Sequence, residues 1–210
     1  MRQVCLDERP VIVEDAFRKL RLNSPAGGWF PALQDLSWCI TKSNLPYIDL
    51  FYSPHLKKIS IHMSRLQRDS EVPHDILAAI TSTISTSPTS TLQSLSVDVK
   101  CITRVAYFKD SLSSVVLRCG PSLTEFASPV PLSDAAINHL IRLPHLRTWR
   151  IQGPPPHYST SSPPLIFPPL TELTLGGGAG CGWLSLFERS QDGASTMQCV
   201  ASLQSNTNLP

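Results

Sequence analysis

Charge is scarce in this chain. Only 16% of its 210 residues are Asp, Glu, Lys or Arg, and the formal net charge is +2, so no long-range field draws it to nucleic acid or to an anionic membrane. Long apolar runs are missing as well: no stretch approaches the roughly 18 apolar residues of a membrane-spanning helix, and residues 1–30 hold no basic-then-apolar leader. Cysteine occurs six times, at Cys5, Cys39, Cys101, Cys119, Cys181 and Cys199, but never as C-x-x-C and never beside histidine at ligand spacing. With no N-x-S/T acceptor either, reduced and mostly buried thiols in a cytosolic or nuclear protein are expected.

Catalytic signatures are absent too. There is no G-x-S-x-G elbow and no H-E-x-x-H, and the six histidines are scattered. Glu14 and Asp15 are adjacent in sequence and diverge on a helix, which suits solvation better than acid/base work. The glycine-rich GGGAGCGW at 176–183 fits neither G-x-G-x-x-G nor G-x-x-x-x-G-K-S/T, and reads as a turn. No catalytic residue, metal or cofactor is expected, and the chain reads as a binding protein, not an enzyme.

What the chain does have is a recurring triplet: a large apolar residue, two positions, another, one position, and a third. It stands at Leu33, Leu36 and Trp38, at Leu56, Ile59 and Ile61, and at Leu92, Leu95 and Val97. It returns at Leu123 and Phe126, with Ser128 in the third place, at Leu146, Trp149 and Ile151, and at Leu170, Leu173 and Leu175. This is the spacing of a leucine-rich repeat strand, whose alternate side chains enter the core. The first Leu recurs after 23, 36, 31, 23 and 24 residues, and two intervals exceed the usual repeat of about 20 to 29 residues. The longest holds the polar SRLQRDSEVPH and the Ser/Thr-rich TSTISTSPTST, read as loops around a full helix.

Helical segments alternate with these strands. Residues 11–22 place Val13, Ala16, Phe17 and Leu20 on one face, with Arg18, Lys19 and Arg21 on a solvated one. Pro25 and the glycines of NSPAGGW end that helix. Residues 45–52, 75–86, 108–118 and 133–142 follow, the last with Ser133 as N-cap and Ile137, Leu140 and Ile141 inward. The 108–118 helix points Leu112, Val115 and Val116 inward, with Cys119 completing the face, and another helix starts at 183–188. Seven prolines between 153 and 169 exclude helix or central strand there. Within them Pro155, Pro156, His157 and Tyr158 spell a P-P-x-Y segment of the kind WW domains hold in an aromatic groove, set against the plainer reading of an extended connector.

The expected fold is therefore α/β: a leucine-rich repeat solenoid, a right-handed horseshoe fragment with a parallel sheet on its concave face and helices and loops on its convex face. Residues 1–190 form the repeat domain, with strands near 33–39, 56–62, 92–98, 123–128, 146–152 and 170–176, and 191–210 are a poorly structured tail. If triplet residues face the core, the residues between them form three outward rows. One runs Asp35, Lys58, Ser94, Glu125, Thr148, Glu172; the next Ser37, Ser60, Ser96, Ala127, Arg150, Thr174; the third Cys39, His62, Asp98, Pro129, Gln152, Gly176. This mixed, hydroxyl-rich surface suits a polar protein partner better than lipid or nucleic acid. Lys58, His62, Asp98, Glu125, Arg150 and Glu172 are its candidate contact residues, Arg150 and His62 foremost. His55 and His145, just before a repeat Leu in a shared P-H-L, are assigned to turns.

The segments FKDSLSSVVLRCGPSLTEFASPVPLSDAAINHLIRLPHLRTWRIQGPPP, FPPLTELTLGG and SPHLKKISI resemble the leucine-rich repeat region of the F-box proteins of mushroom-forming fungi, over roughly residues 5–190. The resemblance implies a substrate-receptor role in a cullin-RING ubiquitin ligase, without cofactor, in which an F-box docks the ligase adaptor and the repeats hold the substrate. An F-box opens with Leu-Pro before an acidic and apolar helix. Here the only Leu-Pro near the front, Leu45-Pro46, runs straight into the Leu56 strand, so adaptor binding is expected only where an F-box is supplied. The chain is then a fragment, a truncated gene product or a free repeat protein. The alternative is a repeat scaffold unconnected with ubiquitin, recruited by a WW domain through Pro155, Pro156 and Tyr158.

Overall fold

The computed structural model describes residues 3–6, 10–23, 25, 29–40, 47, 50, 51, 53–63, 91–99, 105–152, 168–176 and 198–199. These residues form an α/β architecture around one all-parallel sheet. In chain order the elements are β1 (Gln3–Leu6), α1 (Pro10–Leu22), β2 (Asp35–Ile40), β3 (Lys58–Met63) and β4 (Ser94–Val99). Then come α2 (Val105–Leu117), β5 (Glu125–Ser128), α3 (Asp134–Ile141), β6 (Thr148–Gln152), β7 (Glu172–Gly176) and β8 (Gln198–Cys199). Each strand lies beside the one before it, so that the sheet order is the sequence order, and all seven pairings are parallel. A parallel neighbour demands a crossover, which α1, α2 and α3 supply where the connection is described.

The triplets explain both the strands and the core. Side chains alternate across a strand, so the second and third triplet residues of each unit point to one face. Leu36 and Trp38 register with Ile59 and Ile61, these with Leu95 and Val97, and Trp149 and Ile151 with Leu173 and Leu175. All are buried, as are the six first-place leucines two residues ahead of each strand. Ser128, the one polar residue in a third place, is buried as well. Its hydroxyl accepts a 3.0 Å hydrogen bond from the Val130 amide, so the oxygen is not stranded in the core.

Proline sets the entry to four strands, β2, β3, β5 and β6. Leu33, Leu56, Leu123 and Leu146 each donate their amide to the carbonyl three residues back, at Phe30, Ser53, Gly120 and Leu143, over 3.0–3.4 Å. Pro31, Pro54, Pro121 and Pro144 therefore occupy the second place of a β-turn, where a fixed φ favours the turn and no amide is required. His55 and His145 take the third place of two of these turns and are exposed. The residue after each first Leu then ties the units together. Its carbonyl accepts two amides of the next unit: Gln34 from Lys57 and Lys58, Lys57 from Gln93 and Ser94, and Gln93 from Thr124 and Glu125. Thr124 does the same for Arg147 and Thr148, and Arg147 for Thr171 and Glu172, all over 2.7–3.1 Å.

The helices cover the apolar side. α2 begins at Val105, earlier than the expected 108, and buries Leu112, Val115 and Val116. The Ser133 hydroxyl caps α3 by accepting from the Ala136 amide, and Ile137, Leu140 and Ile141 point inward as expected. The Ser133 amide donates in turn to the Ser113 hydroxyl at 2.8 Å, and His139 Nε2 donates to the Cys119 carbonyl at 2.9 Å, which couples α3 to α2. α1 docks more narrowly than its periodicity predicts. Phe17 is buried among Trp38, Tyr47 and Phe51, with ring centroids 5.5–5.8 Å away, and Leu20 is partly buried, but Ala16 is exposed. One large ring anchors the helix and lifts its small neighbour clear. Asn23 closes the helix by donating its backbone and side-chain amides to the Lys19 carbonyl, and Trp29 Nε1 donates to Leu20.

Two strands go beyond the six expected. β1 registers Val4 with Leu36 and Leu6 with Trp38, and in β8 Cys199 registers with Leu173. Within residues 191–210, expected as a poorly structured tail, Gln198 and Cys199 pair with β7, since backbone pairing needs no complete triplet. The expected helices at 75–86 and 183–188, the proline-rich residues 153–167 and the glycine-rich turn beyond Gly176 lie outside the described residues.

Phe126 is fully buried at the centre of this core. Phe126→Ala is expected to lower unfolding stability by about 3–5 kcal/mol in urea denaturation, whereas Leu117→Ala, on the exposed side of α2, stays within about 0.5 kcal/mol.

Candidate interaction surface

The sheet register assembles two of the three outward rows as the spacing predicts. Asp35, Lys58, Ser94, Glu125, Thr148 and Glu172 stand side by side, and so do Ser37, Ser60, Ser96, Ala127, Arg150 and Thr174. The third holds at Cys39, His62 and Asp98 and again at Gln152 and Gly176. It is broken between them, because β5 ends at Ser128 and leaves Pro129 beyond the ladder, where a residue without an amide has no role in pairing. All six candidate residues lie on this one face.

Two pairs among them already engage each other. Arg150 donates from Nε to Glu172 Oε1 at 2.9 Å and from Nη2 to Oε2 at 3.0 Å, a bidentate fork reaching diagonally from β6 to β7. Thr174 donates to the same carboxylate at 3.4 Å. His62 Nδ1 lies 3.6 Å from Asp98 Oδ2, with the two side chains 45% and 46% exposed. That is too long for a strong hydrogen bond but close enough to orient the ring. Lys58 and Glu125 differ from these pairs. They share a row but stand two strands apart with Ser94 between them, both exposed, and neither has an ion-pair partner among the described residues. Arg150 is thus held by a neighbouring carboxylate and His62 lies beside one, and the charges of the face without an ion-pair partner among the described residues are Asp35, Lys58 and Glu125.

Other chemistry is thinly represented. Cys119 is buried against α2, donates to the Val115 carbonyl and has its thiol pushed up to about 12 by burial, which leaves it protonated and inert at neutral pH. Cys39 is also a reduced thiol but half-buried on the outward face. Among the described residues no three His, Cys, Asp or Glu side chains group as metal ligands, and no helix is long and apolar enough to cross a membrane. Pro155, Pro156 and Tyr158 lie outside the described residues.

The sheet also extends past the strands first assigned to it. In backbone register Gln3 stands beside Asp35, Cys5 beside Ser37 and Gln198 beside Glu172. A signal for β1 was available: Met1, Val4 and Leu6 keep the triplet spacing. β8 offered none, since Thr196 and Ala201 stand where the large residues would be. Comparison with protein-family models, with characterised proteins and with solved structures found no match.

The Arg150–Glu172 fork is partly exposed, at 55% and 37%, so its strength is limited by water and salt. A double-mutant cycle with Arg150→Ala and Glu172→Ala is expected to give a coupling of about 0.5–1 kcal/mol at low salt, smaller at high salt.

Proposed function

We propose that the chain is a leucine-rich repeat solenoid and a non-enzymatic protein-recognition module, the substrate-holding part of an F-box type ubiquitin ligase receptor. The carrying observation is the unbroken register of the first two outward rows across six consecutive units. Repetition of one unit gives an extended surface whose residues vary while their positions do not, which is how repeat proteins present a binding wall. That wall is polar, mixed in sign and rich in hydroxyls, and matches the rim chemistry of protein interfaces. The link to ubiquitin ligation rests on the resemblance of the segments quoted above, and attachment to the ligase adaptor needs an F-box supplied in the same polypeptide.

Within this reading Lys58 and Glu125 are the first residues to test, because a partner meets them without displacing an internal carboxylate. In affinity capture scored by quantitative mass spectrometry, the double variant Lys58→Glu with Glu125→Lys is expected to lose a substrate bound by the wild-type chain by about tenfold or more. Tyr158→Ala should retain it. The opposite pattern, retention by the charge-swapped chain and loss with Tyr158→Ala, would favour a scaffold recruited through the proline-rich segment. The ligase adaptor should associate with a gene product carrying an F-box and not with residues 1–210 alone.

A further inference from the structure

We propose that Cys39, His62 and Asp98, side by side on β2, β3 and β4, form a thiol-modification site that exchanges with small-molecule disulfides. The register places Cys39 beside His62 and His62 beside Asp98. Neighbouring strands are about 4.8 Å apart, so thiol, imidazole and carboxylate occur in the order nucleophile, base and orienter. All three point outward for one reason: Trp38, Ile61 and Val97, the residues before them, are buried in the core. The adjacent outward row carries only Ser37, Ser60 and Ser96 here, and β1 ends at Leu6, one place short of Cys39. No second charge in the described strands beside it competes for the imidazole.

Asp98 lies 3.6 Å from His62 Nδ1, and in the proposed site Nε2 takes the proton of the Cys39 thiol. The thiolate so formed attacks one sulfur of a disulfide R–S–S–R. A new sulfur–sulfur bond forms at Cys39, the original bond breaks, and the departing thiolate recovers the proton from the imidazolium as R–SH. The disulfide itself supplies the oxidising equivalent, and the product is a mixed disulfide standing on the outward face. The contrast with Cys119 is one of surroundings alone. That thiol is enclosed by helix and core and donates to a backbone carbonyl, while the neighbouring His139 imidazole is engaged with the Cys119 carbonyl oxygen. The site stands on the register of β2, β3 and β4 and does not depend on what the face binds.

The test uses the full chain with glutathione disulfide as the probe, followed by peptide mapping of each cysteine over time. Cys39 should be modified well ahead of Cys119. A thiol that ionises more readily gains thiolate but loses intrinsic nucleophilicity, so removing the base is expected to slow Cys39 by about threefold at neutral pH. His62→Ala and His62→Asn should both show this near pH 7 and converge with the wild type near pH 9, where an ordinary thiol ionises unaided. Asn keeps a polar side chain at an exposed position, so a slowing shared by both variants with unchanged thermal unfolding separates loss of the base from loss of the fold. Equal Cys39 rates in wild type and both His62 variants near pH 7, or modification of Cys39 no faster than that of Cys119, would overturn the site.

Discussion

The constraint on which the structure depends is a shared acceptor. One backbone carbonyl just ahead of each strand from β2 to β6 receives two amides from the following unit, at Gln34, Lys57, Gln93, Thr124 and Arg147 in turn. Because both donors are consecutive residues, a slip by one position would break a pair of bonds and at the same time turn every triplet side chain away from the core. Hydrogen bonding and apolar burial therefore enforce the same register. Side chains reinforce the stack, with Thr91 donating to the Leu56 carbonyl, Ser122 to Leu92 and Thr124 to Gln93. Intervening length matters little to this arrangement: units joined by 36 and by 23 residues meet in the same way, as the slow growth of loop-closure cost with length allows.

The parts of the fold legible in the sequence are those where one residue carries the whole signal. Large apolar side chains at fixed spacing named the six central strands and predicted the first two outward rows residue by residue. Ser133 announced the start of α3, since a hydroxyl at that place satisfies an amide the helix leaves open. Legibility failed where backbone bonding or tertiary contact takes over from the side-chain pattern. β8 pairs through two residues without large triplet side chains, and Pro129 falls outside the ladder although counting places it inside. Ala16 shares a helical face with Phe17 by periodicity, yet the aromatic cluster grips the larger ring and leaves the alanine in water. The ion pairs were beyond reach for a different reason. Arg150 and Glu172 are 22 residues apart and meet on a diagonal across two strands, which a row-by-row reading does not reveal.

Those pairs change what the face offers. A guanidinium already held by two oxygens of one carboxylate has its planar fork occupied. A partner that recruits Arg150 must compete with Glu172 or accept the pair as a unit. Partly exposed pairs of this kind contribute little to stability, so the fork does more to fix the orientation of two long side chains than to hold β6 against β7. Backbone pairing and the burial of Trp149, Ile151, Leu173 and Leu175 accomplish the latter.

Parallel sheets are ordinarily covered on both faces, and their strands then read as continuous apolar runs. Here every central strand alternates instead. Leu36 and Trp38 go in while Asp35 and Ser37 go out, and the same holds for Ile59 and Ile61 against Lys58 and Ser60. Such a sheet gains apolar burial from one side only, and the helices and aromatic residues gathered on that side must supply the rest. Covering the other face with apolar residues would add burial at roughly 25 cal/mol for each Å² removed from water, yet the chain carries serines and charges there. Stability alone does not account for a polar face held in such strict order. An uncovered apolar face would invite association, so a face left to water carries polar side chains, with the one-sided core acting as the scaffold that aligns it.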